Sequence, residues 1–316
     1  MPGGSSASPT WRESRPLRHQ QDAGRDEHSP LPDGRQKTSK HGDDFSRRRQ
    51  LLVFHRFLAR TTQAFGDAVT LKGGLVLELR LERARTTRDV DLRLTGSPKD
   101  LLARLQHSGQ LDLGDFMRFE LRLDTHHPEI QTEGLRYDGR RFRAECRIER
   151  ELFGHPFGVD VAFGDPLLGE PDVLDAEDSL GFAGIPPPRL RLYPLETHLA
   201  EKLHAYTLPR ARPNTRVKDL PDLALLGTVR AIDANLLRAA FSRTFTFRKT
   251  HPLPFFLPPP PAEWSGPYRA MAEQDGLPWK TLDALLAAVR GFLDPILLEE
   301  EDATWSPRAW AWRPRK

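Results

Sequence analysis

The chain holds one cysteine, Cys146, in 316 residues. That scarcity excludes a disulfide framework within the chain and any zinc site built on thiolates. Cys146 sits in the apolar-alternating run Phe142-Arg-Ala-Glu-Cys-Arg-Ile, so a buried structural thiol is its expected role. Long hydrophobic runs are missing too. Nothing approaches the roughly 18 apolar residues of a membrane-spanning helix, and the N-terminus lacks the apolar core of a secretory signal. The expectation is a cytoplasmic protein with no membrane partner. Nor is charge of one sign in large excess, since 47 Lys and Arg against 44 Asp and Glu leave a formal net charge of +3. A pI of about 9.1 permits nucleic-acid binding without demonstrating it. Aliphatic residues are nearly absent from positions 1–44, which therefore read as a disordered tail that cannot bury enough surface to offset chain entropy.

What is present is a spacing. Lys72-Gly73-Gly74 is followed, fourteen residues after Gly74, by Arg88-Asp89-Val90-Asp91-Leu92. Ala68 to Leu71 reads as a short strand. A glycine pair directly after it lets the backbone turn without a Cβ and approach a phosphate. A helix from Leu75 to Arg83 can start there, aiming unbonded N–H groups and the positive end of its dipole at an anion. Asp89 to Leu94 then alternates Asp89, Asp91 and Arg93 with Val90, Leu92 and Leu94, so in a strand both carboxylates face the same way. Their backbones would stand about 6.6 Å apart, where like charges repel by about 2.5 kcal/mol at an effective dielectric near 20. Taken alone, such a pair reads as a solvated edge strand. Beside a phosphate-cradling turn it reads as a Mg²⁺ site, because Mg²⁺ binds through one or two carboxylates, retained waters and substrate phosphates.

The chain is long enough for one large domain or two ordinary ones. A helix is expected from Asp44 through Phe65, with Leu51, Leu52, Phe54, Phe57 and Leu58 inward. After the aspartate strand come a helix from Pro98 to about Gln106 and strands near Phe116 to Asp124, Leu135 to Tyr137, Arg140 to Glu149 and Gly158 to Phe163. The first module, residues 45–188, is thus mixed α/β and ends in a loop from Pro166 to Pro188. The second, residues 189–316, is helical: Leu195 to Thr207, Lys218 to about Thr228, Asn235 to Phe245, Glu263 to Glu273 and Trp279 to Phe292. Six prolines between positions 252 and 261 make a stiff connector within it. At the end, Trp305, Trp310 and Trp312 lie among Arg308, Arg313 and Arg315. Such interleaving can stack and pair with single-stranded nucleic acid, but anchoring of the terminus to the fold is the favoured reading.

Asp160 stands in the apolar strand Gly158-Val-Asp-Val-Ala-Phe163 and needs a partner. It can serve as a third acid beside Asp89 and Asp91, able to accept a hydroxyl proton, or it can pair with an arginine. On the helix Leu195 to Tyr206, Lys202 lies one residue off the apolar stripe, so its stem can cross apolar surface and its ammonium reach a cleft. Arg210, Arg212, Arg216 and Lys218 precede Asp219 at a helix start, offering donors to a triphosphate or an RNA backbone.

Gly73-Gly74 with Asp89-x-Asp91, the Glu201-Lys202-Leu203 helix and the Arg216-Val-Lys218-Asp219-Leu-x-Asp222 segment together resemble the nucleotidyltransferases of the AbiEii/AbiGii toxin family, including the MenT-type toxins. The likeness spans roughly residues 50–295 and lies in the order and spacing of motifs that are individually weak. The resemblance implies a polymerase-β-like nucleotidyltransferase domain with a mixed sheet (α+β), followed by a helical domain, with substrate between them. It implies Mg²⁺ and a nucleoside triphosphate, transfer of nucleotides to the 3′ end of tRNA, and a cognate antitoxin. By position it places Gly73 and Gly74 at the phosphates, the metal on Asp89 and Asp91, and a triphosphate contact on Lys202; Lys72, Arg216 and Lys218, beside these motifs, are further candidate nucleotide-binding residues. Asp219 completes the site from the second domain. Leu75 follows the glycines where many relatives carry a hydroxyl.

The leading expectation is therefore a Mg²⁺-dependent nucleotidyltransferase toxin acting on RNA, with Asp160 as candidate base. A small-molecule acceptor, as in antibiotic-modifying nucleotidyltransferases, and a catalytically inactive binding protein of the same fold are the alternatives.

Overall fold

The alternating runs in the first half of the chain assemble one mixed sheet, and the amphipathic runs in the second half form helices around a separate apolar cluster. The computed structural model describes residues 34–81, 87–96, 99–125, 129–132, 135–210, 214–298 and 302–315. In chain order the first elements are α1 (Gly34–Phe65), β1 (Val69–Lys72), α2 (Gly73–Arg80), β2 (Asp89–Leu94), α3 (Leu101–Gly109), β3 (Met117–Leu123), β4 (Glu129–Thr132), β5 (Leu135–Ile148), β6 (Glu151–Leu152), β7 (Phe157–Phe163), β8 (Asp172–Asp175) and β9 (Arg189–Leu192). There follow α4 (Leu195–Thr207), α5 (Asp219–Leu226), β10 (Ile232–Asp233), α6 (Ala234–Arg248), α7 (Ser265–Gln274), α8 (Leu282–Leu297), β11 (Ala303–Ser306) and β12 (Ala311–Pro314). Residues Asp43 to Lys316 form one unit; the described residues before it, 34–42, are helical.

The main sheet runs β3-β5-β7-β2-β1-β9-β8, with β4 and β6 also on β5. β2 is central, antiparallel to β1 and parallel to β7. Its Val90, Leu92 and Leu94 are buried with Leu71, Val159, Val161 and Phe142, and α1 covers this face through Val53, Phe54, Phe57 and Leu58. Phe54 and Phe57 both meet the Phe157 ring edge-on, at 5.1 and 5.4 Å. Cys146 is buried in β5, as its run suggested, and burial pushes its thiol up to about 12. A second cluster joins Leu199 and Leu203 of α4, Leu223 of α5, Phe241 of α6, Phe292 of α8 and Trp305.

Several boundaries differ from the sequence reading. α1 begins at Gly34 rather than Asp44, because Arg35 to His41 contains no glycine or proline to stop it; the rest of the expected tail, residues 1–33, lies outside the described residues. β5 is one strand where two were expected. The loop of residues 166–188 contains β8, and β9 joins the main sheet parallel to β1, with Leu71 opposite Leu192. A boundary at 188/189 would thus separate two paired strands. α8 continues past Phe292 through Pro295, whose missing N–H removes one internal bond without ending the helix.

The C-terminal segment adds the sheet β10-β11-β12. All three of its tryptophans anchor. The indole N–H groups of Trp305, Trp310 and Trp312 donate to the carbonyls of Gly227 (2.8 Å), Ala288 (3.0 Å) and Phe292 (2.7 Å).

α1 is pinned to the sheet by charge as well as by packing. Buried Asp115 accepts from Arg60 at 2.5 Å and Arg56 at 2.6 Å. Burial alone would raise the Asp115 carboxyl, but the hydrogen bonds from Arg60 and Arg56 outweigh it and hold the group at about 2. Replacing Asp115 with alanine strands two buried guanidinium groups and should cost about 3–5 kcal/mol in urea unfolding. For the native chain, a carboxyl depressed below its unfolded value contributes stability above about pH 4, and this contribution should be lost as pH falls to about 2; acid titration of the unfolding midpoint checks it.

Candidate active site

β1 ends at Lys72 and the chain turns at Gly73 with φ of +72°, a conformation that favours glycine. Lys72 gives no side-chain cap to α2, so capping does not consume the first-turn N–H groups from that side. The turn is also shaped by what stands over it. A Cβ on Gly73 would lie 1.9 Å from Asp91 Oδ2. Asp91 is opposite Lys72 on one side and Asp160 on the other. Asp89 is opposite Gly158 of β7, whose N–H donates to Asp89 Oδ1 at 3.2 Å and whose missing Cβ would come within 2.6 Å of that oxygen. Gly73 at the start of α2 and Gly158 on β7 therefore make room for the two acids, which share a face as the period-two alternation required.

Among the described residues neither Asp89 nor Asp91 forms an ion pair, whereas the acids around them do. Asp160 is taken by Arg141 through both oxygens, at 2.7 Å each, so the arginine pairing weighed for it is present. Lys72 is bound to Asp165 at 2.5 Å and Glu201 at 3.0 Å, its ammonium 5.2 Å from the Tyr193 ring. Arg248 of α6 reaches the same two acids, Glu201 at 2.9 Å and Asp165 at 3.5 Å. This buried network ties β1 to α4 and α6. Lys202 contacts Asp222 at 2.6 Å and Asp219 at 3.4 Å, and Arg216 contacts Asp219 at 2.5 Å.

The electrostatics follow from these distances. Burial, then the charges of Asp160 and Asp89, push the Asp91 carboxyl up to about 6 against the pull of Lys72 and Lys202. Burial pushes Glu201 up to about 7, with Lys72 opposing and Asp165 adding. For Lys72, burial alone would lower the ammonium, but Glu201, Tyr193 and Asp165 more than reverse it. Arg216 is raised: burial opposes charge, but Asp219, Asp222 and Asp91 prevail. Asp91 on the sheet is thus within electrostatic reach of Lys202 on α4 and Arg216 before α5.

Of the residues anticipated from sequence, the structure brings together Gly73, Asp89, Asp91, Asp160, Lys202, Arg216 and Asp219. Gly74 is buried behind Gly73 and Lys218 is exposed beside Arg216; Arg212 lies outside the described residues. Lys72 shares the acids' face, opposite Asp91, and its ammonium is bound into the buried network with Asp165 and Glu201. Asp165, Arg248, Tyr193, Arg141 and Gly158 were missed. The last had a signal, a glycine inside a strand, which marks close approach by another group.

No group of three His, Cys, Asp or Glu side chains able to hold a metal occurs among the described residues. A divalent ion here would use Asp89 and Asp91 and take its remaining ligands from water and substrate phosphates, as Mg²⁺ does. The donor set fits that use, being two carboxylates with no ion pair among the described residues, in cradles that a Cβ would fill. A cavity of about 470 Å³ lies elsewhere, against β11 and β12.

A strand, a glycine turn, a helix start and two acids on the adjacent central strand suit nucleotidyl transfer. The family profile described as nucleotidyl transferase AbiEii toxin of the type IV toxin–antitoxin system matches residues 56–305, and the chain belongs to that family. No curated protein matches it by sequence. Among solved structures it is similar to MenT4, the nucleotidyltransferase toxin Rv2826c from Mycobacterium tuberculosis H37Rv (19% identity, 82% of this chain and 85% of that one, TM-score 0.48). It is also similar to JHP933 from Helicobacter pylori (14% identity, 64% and 79%, TM-score 0.39). Family membership implies a nucleoside triphosphate donor and an antitoxin partner. No helix among the described residues is long and apolar enough to cross a membrane.

Alanine at Gly73 must escape both its φ and the Asp91 carboxylate. Gly73→Ala should cost about 1–2 kcal/mol of stability and, by displacing Asp91 by the order of 1 Å, about 100-fold in nucleotide transfer. Gly158→Ala should spare stability more and still impair transfer through Asp89. Thermal melts and single-turnover assays separate the two effects.

Proposed function

We propose that the protein transfers a nucleotide from a nucleoside triphosphate to RNA, with a tRNA 3′ end as acceptor, in a Mg²⁺-dependent reaction. The observation that carries this reading is the Asp89/Asp91 pair, which among the described residues forms no ion pair while the neighbouring acids are paired, with Asp91 against the glycine turn. A cation held there would offset the charge of the donor phosphates and polarise them.

The chain's own residues supply the rest. The turn at Gly73 and Gly74 lets backbone N–H groups approach a phosphate. Lys202 is fixed between α4 and α5 by Asp222 and Asp219, and Arg216 is held on Asp219 through Nε and Nη2. Both cations are therefore preorganised to offset charge building on the pyrophosphate leaving group. The acceptor hydroxyl attacks the α phosphorus as the bond to pyrophosphate breaks. Asp160, the candidate base, would have to give up one of its two Arg141 contacts to take the hydroxyl proton. Arg216 and Lys218, exposed beside the site, favour a polyanionic acceptor over a cationic small molecule.

Asp89→Asn and Asp91→Asn should each abolish incorporation of labelled nucleotide into total RNA while leaving the melting temperature close to native. Mg²⁺ without nucleotide should raise the melting temperature of the native chain and of neither variant. Retained transfer in either variant overturns the scheme, and incorporation into a small molecule but not RNA overturns the acceptor.

A further inference from the structure

We propose that the cleft at the C-terminal hairpin is a second binding site, for the phosphodiester backbone of the acceptor RNA. The inference rests on the RNA reading above and concerns a surface distinct from the acids. The cleft, about 470 Å³, is lined by Thr228, Arg230, Thr304, Ser306, Arg308 and Arg313 among others. Three cations and three hydroxyls face one concavity, a set suited to phosphate oxygens.

The hairpin separates its two residue types by strand period. Trp305 is opposite Trp312 and Thr304 is opposite Arg313 in the β11/β12 register. Trp305 is buried and Trp312 half-buried, with their N–H groups used on backbone carbonyls; Thr304 and Arg313, at the alternate positions, line the cleft together with Trp305. Among the described residues Arg308 and Arg313 have no acidic partner. Their neighbour Arg315, by contrast, is paired with Asp233 at 2.7 Å. The cleft thus carries uncompensated positive charge on a hairpin fixed by aromatic anchors. Arg308 and Arg313 are exposed, as is Arg230 on the opposite wall, so the cleft is open enough for a chain to pass along it rather than enclosing a small anion.

Its position relative to the chemistry is set by α4. Arg230 is bound to Glu196 in the first turn of that helix at 3.0 Å. Lys202 follows six residues on, about 9 Å along the axis. One rigid helix therefore separates the cleft from the cations proposed to meet the triphosphate, and RNA held at the hairpin would be registered against the acids by α4.

The test is equilibrium binding of labelled single-stranded tRNA 3′ fragments to the full chain across a salt series, without nucleotide. Arg308→Ala combined with Arg313→Ala removes two phosphate contacts. The log–log salt slope should become shallower by about 1.4 and affinity at 0.1 M salt should fall roughly 10- to 30-fold relative to the 1 M limit. The lysine versions at both positions should recover most of the slope. A control pair, Arg118→Ala with Arg122→Ala on the exposed face of β3 outside the cleft, should bind as the native chain does. If the native chain binds RNA and the cleft variant binds equally well, the cleft assignment falls and the RNA reading survives. An equal loss in the control pair also overturns it, in favour of a diffuse basic surface. If only inorganic phosphate binding is lost, the cleft is a small-anion site. If the native chain binds no RNA at all, both readings fall.

Discussion

Two carboxylates side by side, with no ion pair to a cation among the described residues, are the constraint around which this fold is arranged. The sheet fixes the backbone from which they project, because β2 is central and bonded on both edges. The neighbouring elements yield space to them by carrying glycine where any Cβ would collide, at Gly73 at the start of α2 and at Gly158 on β7. Burial and mutual repulsion keep Asp91 reluctant to ionise, and a bound cation relieves that strain directly.

The surrounding ion pairs serve the opposite purpose. Lys72, Asp165, Glu201 and Arg248 close on each other across β1, α4 and α6, and Lys202, Asp219, Asp222 and Arg216 do so across α4 and α5. Each set nearly neutralises itself, which is the condition for charge to be buried without large cost. The helices are thereby set in place before any substrate arrives. Preorganisation of this kind is what gives fixed dipoles and charges their effect on a transition state.

Much of the fold was legible because alternation and turn chemistry are local. β2 and α4 occupy the residues their patterns marked, and the acids face the glycine turn as the strand period required. What was not legible depends on partners far apart in sequence. Asp165 and Arg248 show nothing locally of their meeting with Lys72, 93 residues away for the first, and with Glu201, 47 away for the second. Lys72 was read with the glycines because it adjoins them; it does stand opposite Asp91, but its ammonium is also held by those distant partners. β9 was too short to register as a strand, since its four residues gain their identity from pairing with β1 and β8. The aspartate at 160 was correctly expected to need a partner, but only the register of β5 on β7 shows that Arg141 supplies it.

The solitary thiol has a practical corollary. Because Cys146 is packed inside β5 and resists ionising, maleimides and similar electrophiles will meet an essentially unreactive background. A reporter cysteine introduced at an exposed position such as Phe182 would be the sole labelling site, so fluorophores or spin labels can follow substrate engagement without first stripping native sulfur from the chain.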